Sequence, residues 1–198
     1  MVKRLFDIIF SFLGLAIASP LLGLIVLLIK LDLRGPVFYR GERIGKFGKP
    51  FRIFKFRTMV EKTEELGGSS TAADDPRLTK IGKVLKKYQL DELPQLINVL
   101  KGEMSLVGPR PEVKMYVDMM PESERKTILS VRPGMTDLAS LWNFHEGEIL
   151  KGSPDPEKTY IEKIRPTKIK LQLEYVKNRS FLLDLKIVIK TILKVFYG

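Results

Sequence analysis

Asp91 and Glu92 are adjacent carboxylates in the run Leu90-Asp91-Glu92-Leu93-Pro94. Proline is tolerated in the first turn of a helix, where its missing N–H costs nothing, so the run reads as a helix start. Neighbouring side chains there stand about 100° apart around the axis. Both carboxylates can therefore border one pocket, and a helix N-terminus also favours a bound phosphate. Capping alone explains acidic residues at such a position, but the surroundings extend the reading. Lys55, Arg57, Lys86, Lys87, Arg110 and Arg132 each lie beside a strand end or a glycine/proline turn. Within Phe51 to Arg57, alternation puts Lys55 and Arg57 on one strand face. That pairing suits a phosphate, although such pairs also decorate solvated faces. Cations held near carboxylates by rigid turns are the ingredients of phosphoryl transfer, in which Mg²⁺ and basic side chains offset developing charge. No Walker-type glycine loop occurs.

Composition narrows the chemistry. The 198 residues, 44% hydrophobic and 29% charged, suffice for one globular domain with a real core. The absence of cysteine removes disulfides and thiolate metal sites. The single histidine, His145, excludes a multi-histidine metal site, and no nucleophile-elbow sequence accompanies it. Carboxylates and cations must carry any reaction. A formal net charge of +11 attracts phosphates, whether on nucleic acid, an anionic membrane or a small substrate. The basic residues are scattered around turns without a recognisable reading motif, so nucleic acid is not expected as a partner.

The elements that must position these residues begin with an apolar segment. Leu5 to Ile29 is a 25-residue stretch with one charge, Asp7, flanked by Lys3 and Arg4 before and Lys30 and Arg34 after. Length alone favours a membrane-crossing helix. Ser19-Pro20 argues for a bend, because proline removes one donor and clashes with the carbonyl of Ala16, while the Ser19 hydroxyl can satisfy part of the freed backbone. Each arm is then roughly 22 Å long, shorter than a hydrocarbon core of about 30 Å. Basic flanks at both ends prefer the same side. A re-entrant helix with its break at Ser19 and Pro20 and a proline-kinked spanning helix both remain open on these grounds.

Gly35-Pro36 ends the segment. Val37 to Arg40 and Phe51 to Arg57 read as two strands of a loose β-hairpin around glycine-rich Gly41 to Pro50. Glu61 to Asp75 reads as a polar loop, and Asp74-Asp75-Pro76 as a helix start. Ile81, Val84, Leu85 and Tyr88 are spaced for one helix face. After the dyad, Leu93, Leu96, Ile97 and Leu100 form an expected buried face, with Gly102 as its cap. Gly108-Pro109-Arg110-Pro111 and Arg132-Pro133-Gly134 are rigid turns flanking a helical stretch broken at Pro121. A last helical region follows Pro154 to Pro156. In the tail, Phe181 to Tyr197, Lys186, Lys190 and Lys194 recur every fourth residue among Leu, Ile, Val and Phe. An interfacial amphipathic helix and a core helix with a lysine edge fit that pattern equally.

Three stretches resemble the bacterial sugar transferase family, the monotopic polyprenyl-phosphate phosphoglycosyl transferases. They are Lys55-Phe56-Arg57-Thr58-Met59, the long run from Leu90 through Asp91-Glu92 and Gly108-Pro109-Arg110-Pro111 to Glu112, and Arg132-Pro133-Gly134-Met135-Thr136. The resemblance runs from the Ser-Pro segment to the tail, and the length is that of the small catalytic form. It implies a re-entrant anchor and a two-step reaction. Asp91 attacks the sugar-linked phosphate of a UDP-sugar, UMP leaves, and a phosphosugar–aspartyl intermediate passes its group to undecaprenyl (polyprenyl) phosphate. Glu92 is implied as base, Mg²⁺ near Asp91 as bridging ion, and Lys55, Arg57, Lys86, Arg110 and Arg132 as phosphate-holding or loop-positioning cations. The chain departs from the family pattern after Thr136. Asp137-Leu138-Ala139-Ser140-Leu141-Trp142-Asn143-Phe144-His145 stands there, without the family's phosphate-binding arginine, and Lys86 replaces an arginine before the dyad. Trp142 or Phe144 either stacks on uracil or packs in the core.

The expected architecture is therefore α+β and mainly helical, with a re-entrant membrane helix over 1–34, a catalytic domain over 35–198 that carries a short β-hairpin, and amphipathic interfacial helices. The expected function is initiation of surface-glycan synthesis at the cytoplasmic face of a bacterial inner membrane, in contact with membrane lipid. The competing reading is a non-enzymatic basic membrane-binding module. The sugar, the acceptor chain length and whether the chain forms a homo-oligomer are left open by the sequence.

Overall fold

A computed structural model describes residues 2–32, 34–60 and 70–197; most of the expected polar loop, 61–69, lies outside the described residues. The chain is mainly helical with a few short strands. Helix α1 runs from Val2 to Asp32 through Pro20 without interruption. The Ser19 hydroxyl donates to the Ala16 carbonyl at 2.8 Å, the acceptor that Pro20 cannot serve. The helix is long and apolar enough to cross a membrane.

Both ends of α1 are fastened to the rest of the protein. Near its start, Lys3 donates to Val107 O at 3.0 Å and pairs with Asp184 at 2.5 Å. Arg4 donates to the carbonyls of Val99 and Leu100. Buried Asp7 accepts from Ser105 Oγ and from the Leu106 amide, both at 3.0 Å. Towards its end, Ile25 and Ile29 are buried with Phe56 and Leu85. Between these anchors Phe12, Ile17, Leu21 and Leu24 are exposed, Ile17 by 80%.

The expected hairpin is present but divided. Strand β1 (Phe38–Tyr39) pairs antiparallel with β4 (Lys55–Phe56), and β2 (Glu42–Ile44) with β3 (Pro50–Arg52). The glycine-rich stretch thus carries a second ladder, closed by a tight turn at Lys46–Gly48 in which Phe47 and Gly48 take positive φ. Asn98, fully buried on α3 (Gln95–Lys101), accepts from the Phe54 amide at 2.8 Å and donates to the Arg52 carbonyl at 3.0 Å, tying the hairpin to that helix.

Asp74-Asp75-Pro76 does not open a helix. The Asp75 carboxylate accepts from the Arg77 amide and guanidinium, closing a turn instead. Helix α2 (Lys80–Lys87) starts later, capped by Thr79, whose hydroxyl accepts from Gly82 N at 2.9 Å. Leu85 is buried and Ile81 packs beside it, whereas Val84 and Tyr88 are exposed. On α3 the buried face is Gln95, Leu96, Asn98 and Val99, turned from the expected leucine stripe because the hairpin claims the Asn98 side. Gly102 closes α3 at φ +84°, as expected.

The two Gly-Pro turns are one structure. Strand β5 (Ser105–Val107) lies parallel to β6 (Gly134–Thr136), and Gly108 N donates to Thr136 O while Gly134 N donates to Pro109 O, both at 3.0 Å. The backbones touch at the glycines: a Cβ on Gly134 would lie 2.0 Å from Gly108 N, and one on Gly108 would lie 2.5 Å from Arg132 O. Helices α4 (Lys114–Asp118) and α5 (Glu122–Ile128), separated at Pro121, connect the strands. Helices α6 (Leu138–Trp142), α7 (Glu146–Leu150), α8 (Pro156–Thr159), α9 (Arg165–Asn178) and α10 (Phe181–Tyr197) follow. On α10, Ile187 is buried with Val107 and Tyr175 while Leu182, Ile189, Ile192 and Leu193 are exposed. Lys194 donates to the Leu141 carbonyl at 2.7 Å. The tail thus has a packed face and an exposed apolar one.

Backbone meeting backbone leaves nothing to yield. Gly134→Ala is expected to cost at least about 2 kcal/mol of stability. Gly23→Ala, where an added Cβ meets nothing within 4 Å, should leave stability unchanged or raise it by up to about 1 kcal/mol. Thermal unfolding of the two variants in detergent checks the contrast.

Candidate active site

The approach to the dyad is a sharp reversal. Helix α2 ends at Lys87 with Tyr88 as its cap, and Gln89 takes φ +54°, ψ +21°, a left-handed conformation that costs a non-glycine residue roughly 1–2 kcal/mol. Its side-chain amide donates to the Phe144 carbonyl at 2.9 Å, which holds the reversal in place. A single 3₁₀ turn, Leu90–Glu92, then presents both carboxylates, and Pro94 leads into α3. The expected helix start is therefore split in two, with the dyad on the tighter turn.

Asp91 is 1% exposed. Its Oδ2 lies 2.9 Å from Lys55 Nζ, and the same ammonium donates to Glu92 Oε1 at 3.0 Å. Arg110 also donates to Glu92 Oε1. Lys55 arrives on β4 and Arg110 from the turn after β5, so three distant segments converge on one point. The Arg110 amide donates to Asp137 Oδ2 at 3.3 Å. Asp137 is itself fully buried and caps α6 by accepting from Ser140 N at 2.7 Å.

The charges decide one another's protonation. Burial works to raise the Glu92 carboxyl, but Arg110 and then Lys55 outweigh it and hold it well below the usual carboxylate range. Burial works to lower Lys55; Asp91 and Glu92 together reverse this and raise it. Glu92 likewise raises Arg110. Lys86, half-buried at the end of α2, behaves differently. Burial and the nearby Lys55 charge bring it down to about 8, against weaker opposing pulls from Asp91, Glu92 and Asp75. Two carboxylates thus meet two committed cations and one lysine that is mostly charged at pH 7 and loses its proton around pH 8.

Lys55, Lys86, Arg110, Asp91 and Glu92 are brought together as the sequence led one to expect; the other two candidate cations also donate to backbone carbonyls. Arg57 is buried and donates to the Arg34 carbonyl at 2.6 Å, just beyond α1. Arg132 donates to the Gly102 carbonyl at 2.8 Å, at the end of α3 away from the dyad. Asp137 and Gln89 are the residues that sequence reasoning missed. Asp137 carried a signal, since Asp-Leu-Ala-Ser is an N-cap pattern; Gln89 carried none. No group of three or more His, Cys, Asp or Glu able to hold a metal occurs among the described residues.

The site is thus a buried carboxylate pair neutralised by a lysine and an arginine, in a protein whose first helix leaves its apolar middle exposed. The bacterial sugar transferase model matches residues 1–198, and the chain belongs to that family. It is 38% identical over its whole length to an UDP-N-acetylgalactosamine-undecaprenyl-phosphate N-acetylgalactosaminephosphotransferase of Aeromonas hydrophila, of which it spans 44%. It is 39% identical, over 96% of its length, to the exopolysaccharide production protein ExoY of Sinorhizobium fredii, spanning 83% of that protein. It is 36% identical, over 99% of its length, to the UDP-glucose:undecaprenyl-phosphate glucose-1-phosphate transferase of Escherichia coli, spanning 40% of it.

Lys86 gives the site a pH dependence. As pH rises through about 8 the lysine loses its proton, while a diphosphate stays anionic. Affinity for inorganic pyrophosphate, used as a probe of the cation cluster and measured by calorimetry between pH 7 and 9.5, should therefore fall through that range. Lys86→Arg, always protonated, should flatten the fall.

Proposed function

We propose that this protein moves a sugar 1-phosphate from a UDP-sugar to undecaprenyl phosphate, releasing UMP, as a first step in building a surface polysaccharide. The observation that carries the reading is Asp91: a carboxylate almost fully buried, facing a lysine, beside a second carboxylate that holds that lysine and an arginine. The relatives' names supply the donor and acceptor classes.

The proposed first step is attack by an Asp91 oxygen on the sugar-bearing phosphorus. A P–O bond forms to Asp91, the P–O bond to UMP breaks, and UMP leaves with the electron pair. In the second step an oxygen of the polyprenyl phosphate attacks the same phosphorus, the bond to Asp91 breaks and the carboxylate is restored. Lys55 and Arg110 are the cations within reach to turn from Glu92 to the diphosphate, and Lys86 adds a third. Glu92 keeps Lys55 and Arg110 in position before the donor arrives, and becomes available as a base once they turn away. Little basicity is required of it, because a phosphate monoester is largely doubly ionised at neutral pH. Magnesium is held through one or two carboxylates plus substrate phosphates in many phosphoryl-transfer sites. Buried Asp91 with a donor diphosphate fits that pattern, and the ion, when bound, would offset charge on the diphosphate.

We further read α1 as re-entrant, on the cytoplasmic face of the inner membrane, with α10 in the interface beside it. Three features support this. The two ends of α1 are fastened to the same globular body, through Lys3, Arg4 and Asp7 at one end and Ile25 and Ile29 at the other. The carbonyl orphaned by Pro20 is satisfied by Ser19. Phe181 of α10 meets Phe6 edge-on at 5.3 Å, which brings α10 beside α1.

Asp91→Asn is expected to abolish UMP release from a UDP-sugar and to prevent retention of radiolabelled sugar phosphate on the protein, a loss of at least about 10³-fold. A membrane-associated Asp91→Asn protein that still turned over would overturn the covalent mechanism.

A further inference from the structure

Beside the dyad lies a cleft that the reaction scheme above leaves unused. It is an open cleft of about 340 Å³ on the surface, lined by Trp142, Asn143, Phe144, His145, Glu148, Ile149 and Lys194. The other cavity near the site, behind Arg110, holds about 20 Å³, room for one water. The cleft is joined to the dyad by two connections. Gln89, two residues before Asp91, donates to the Phe144 carbonyl at 2.9 Å. Asn143 donates to Glu146 Oε2 at 3.3 Å, and the Glu146 charge is felt by Arg110.

The lining is unequal in a way that bears on the ligand. Phe144 is buried, with the Lys194 ammonium 5.6 Å from its ring centre and bonded to the Leu141 carbonyl; these residues form a fixed floor. Trp142 and Ile149 are exposed by 46% and 53%, leaving an aromatic and an aliphatic wall uncovered. Polar groups sit between them. Asn143 Oδ1 is an acceptor suited to an imide N–H. Glu148 is a carboxylate of the kind that accepts from ribose hydroxyls.

Resting on the transferase reading above, we propose that this cleft binds the pyrimidine nucleoside of the donor, with the base stacked on Trp142, so that the diphosphate extends past Gln89 to Lys55, Arg110 and Asp91. An aromatic wall with one acceptor at its edge and a carboxylate at the rim matches a uracil–ribose unit. A sugar ring can also stack its C–H face on an indole, but its many hydroxyls would need more hydrogen-bonding groups than the cleft presents.

Trp142 is the chain's one tryptophan, so emission from the full-length protein in lipid nanodiscs, excited at the red edge of indole absorption, reports this site alone. Uridine and UMP should quench it saturably, whereas glucose 1-phosphate should not. Trp142→Ala should raise the KM for the UDP-sugar by about 5- to 150-fold, the range of a lost base–aromatic stack, with kcat within about threefold of the parent. Trp142→Phe, which keeps a ring, should recover most of the loss. Unchanged emission together with a KM within twofold in Trp142→Ala would overturn the proposal, as would quenching by glucose 1-phosphate in place of uridine, which would put the sugar ring in the cleft. The site and the reaction fail separately. A response to UMP without sugar-phosphate transfer leaves the cleft standing and removes the reaction; transfer without a Trp142 response does the reverse. In Asp91→Asn the quenching should persist although transfer is lost.

Discussion

The four charges Asp91, Glu92, Lys55 and Arg110 are mutually dependent. Burying a carboxylate that is 1% exposed is costly unless a cation or hydrogen-bond donors meet it. Lys55 serves both acids at once, and Arg110 holds the second. Removing either cation leaves an uncompensated charge, so the segments that deliver them must be fixed in place. Much of the surrounding structure does this. The hairpin that carries Lys55 is tied to α3 through Asn98. The turn that carries Arg110 is locked to β6 by contact between Gly108 and Gly134 and by Asp137 beneath its amide.

The same requirement gives Glu92 a different weight from the one its place in the motif implies. Its carboxyl is held well below the usual range by Arg110 and Lys55 against the effect of burial. A group so stabilised in its charged form is first an anchor for cations. In the proposed reaction an arriving phosphate would compete with Glu92 for both Lys55 and Arg110.

Helix α1 is integral to this arrangement. Asp7 accepts from Ser105 and Leu106 at the start of β5, the strand that leads to Arg110. Ile25 and Ile29 pack on Phe56 and Leu85, next to Lys55 and Lys86. The apolar helix therefore supports the site from both ends while its middle stays exposed, so an apolar environment met by that face lies close to the chemistry.

The dyad, most of its cations, the two Gly-Pro turns, the hairpin and the helical tail were all legible in the residues, because each has a local cause: a proline that permits only a first turn, glycines that permit backbone contact, alternation, or apolar spacing. The helix start at Asp74-Asp75-Pro76 was misread because Asp75 finds Arg77 first, and the cap falls to Thr79. Arg57 and Arg132 have the right type and neighbourhood, and each also donates to a backbone carbonyl, of Arg34 and Gly102, which spacing gave no means to foresee. Residue type and spacing determined which groups were available and that carboxylates and cations had to do the work. Only the tertiary structure decided which cation meets which acid, that Gln89 and Asp137 hold them there, and that Trp142 faces solvent while Phe144 packs. Those outcomes depend on contacts between segments tens of residues apart, and no local rule carries them.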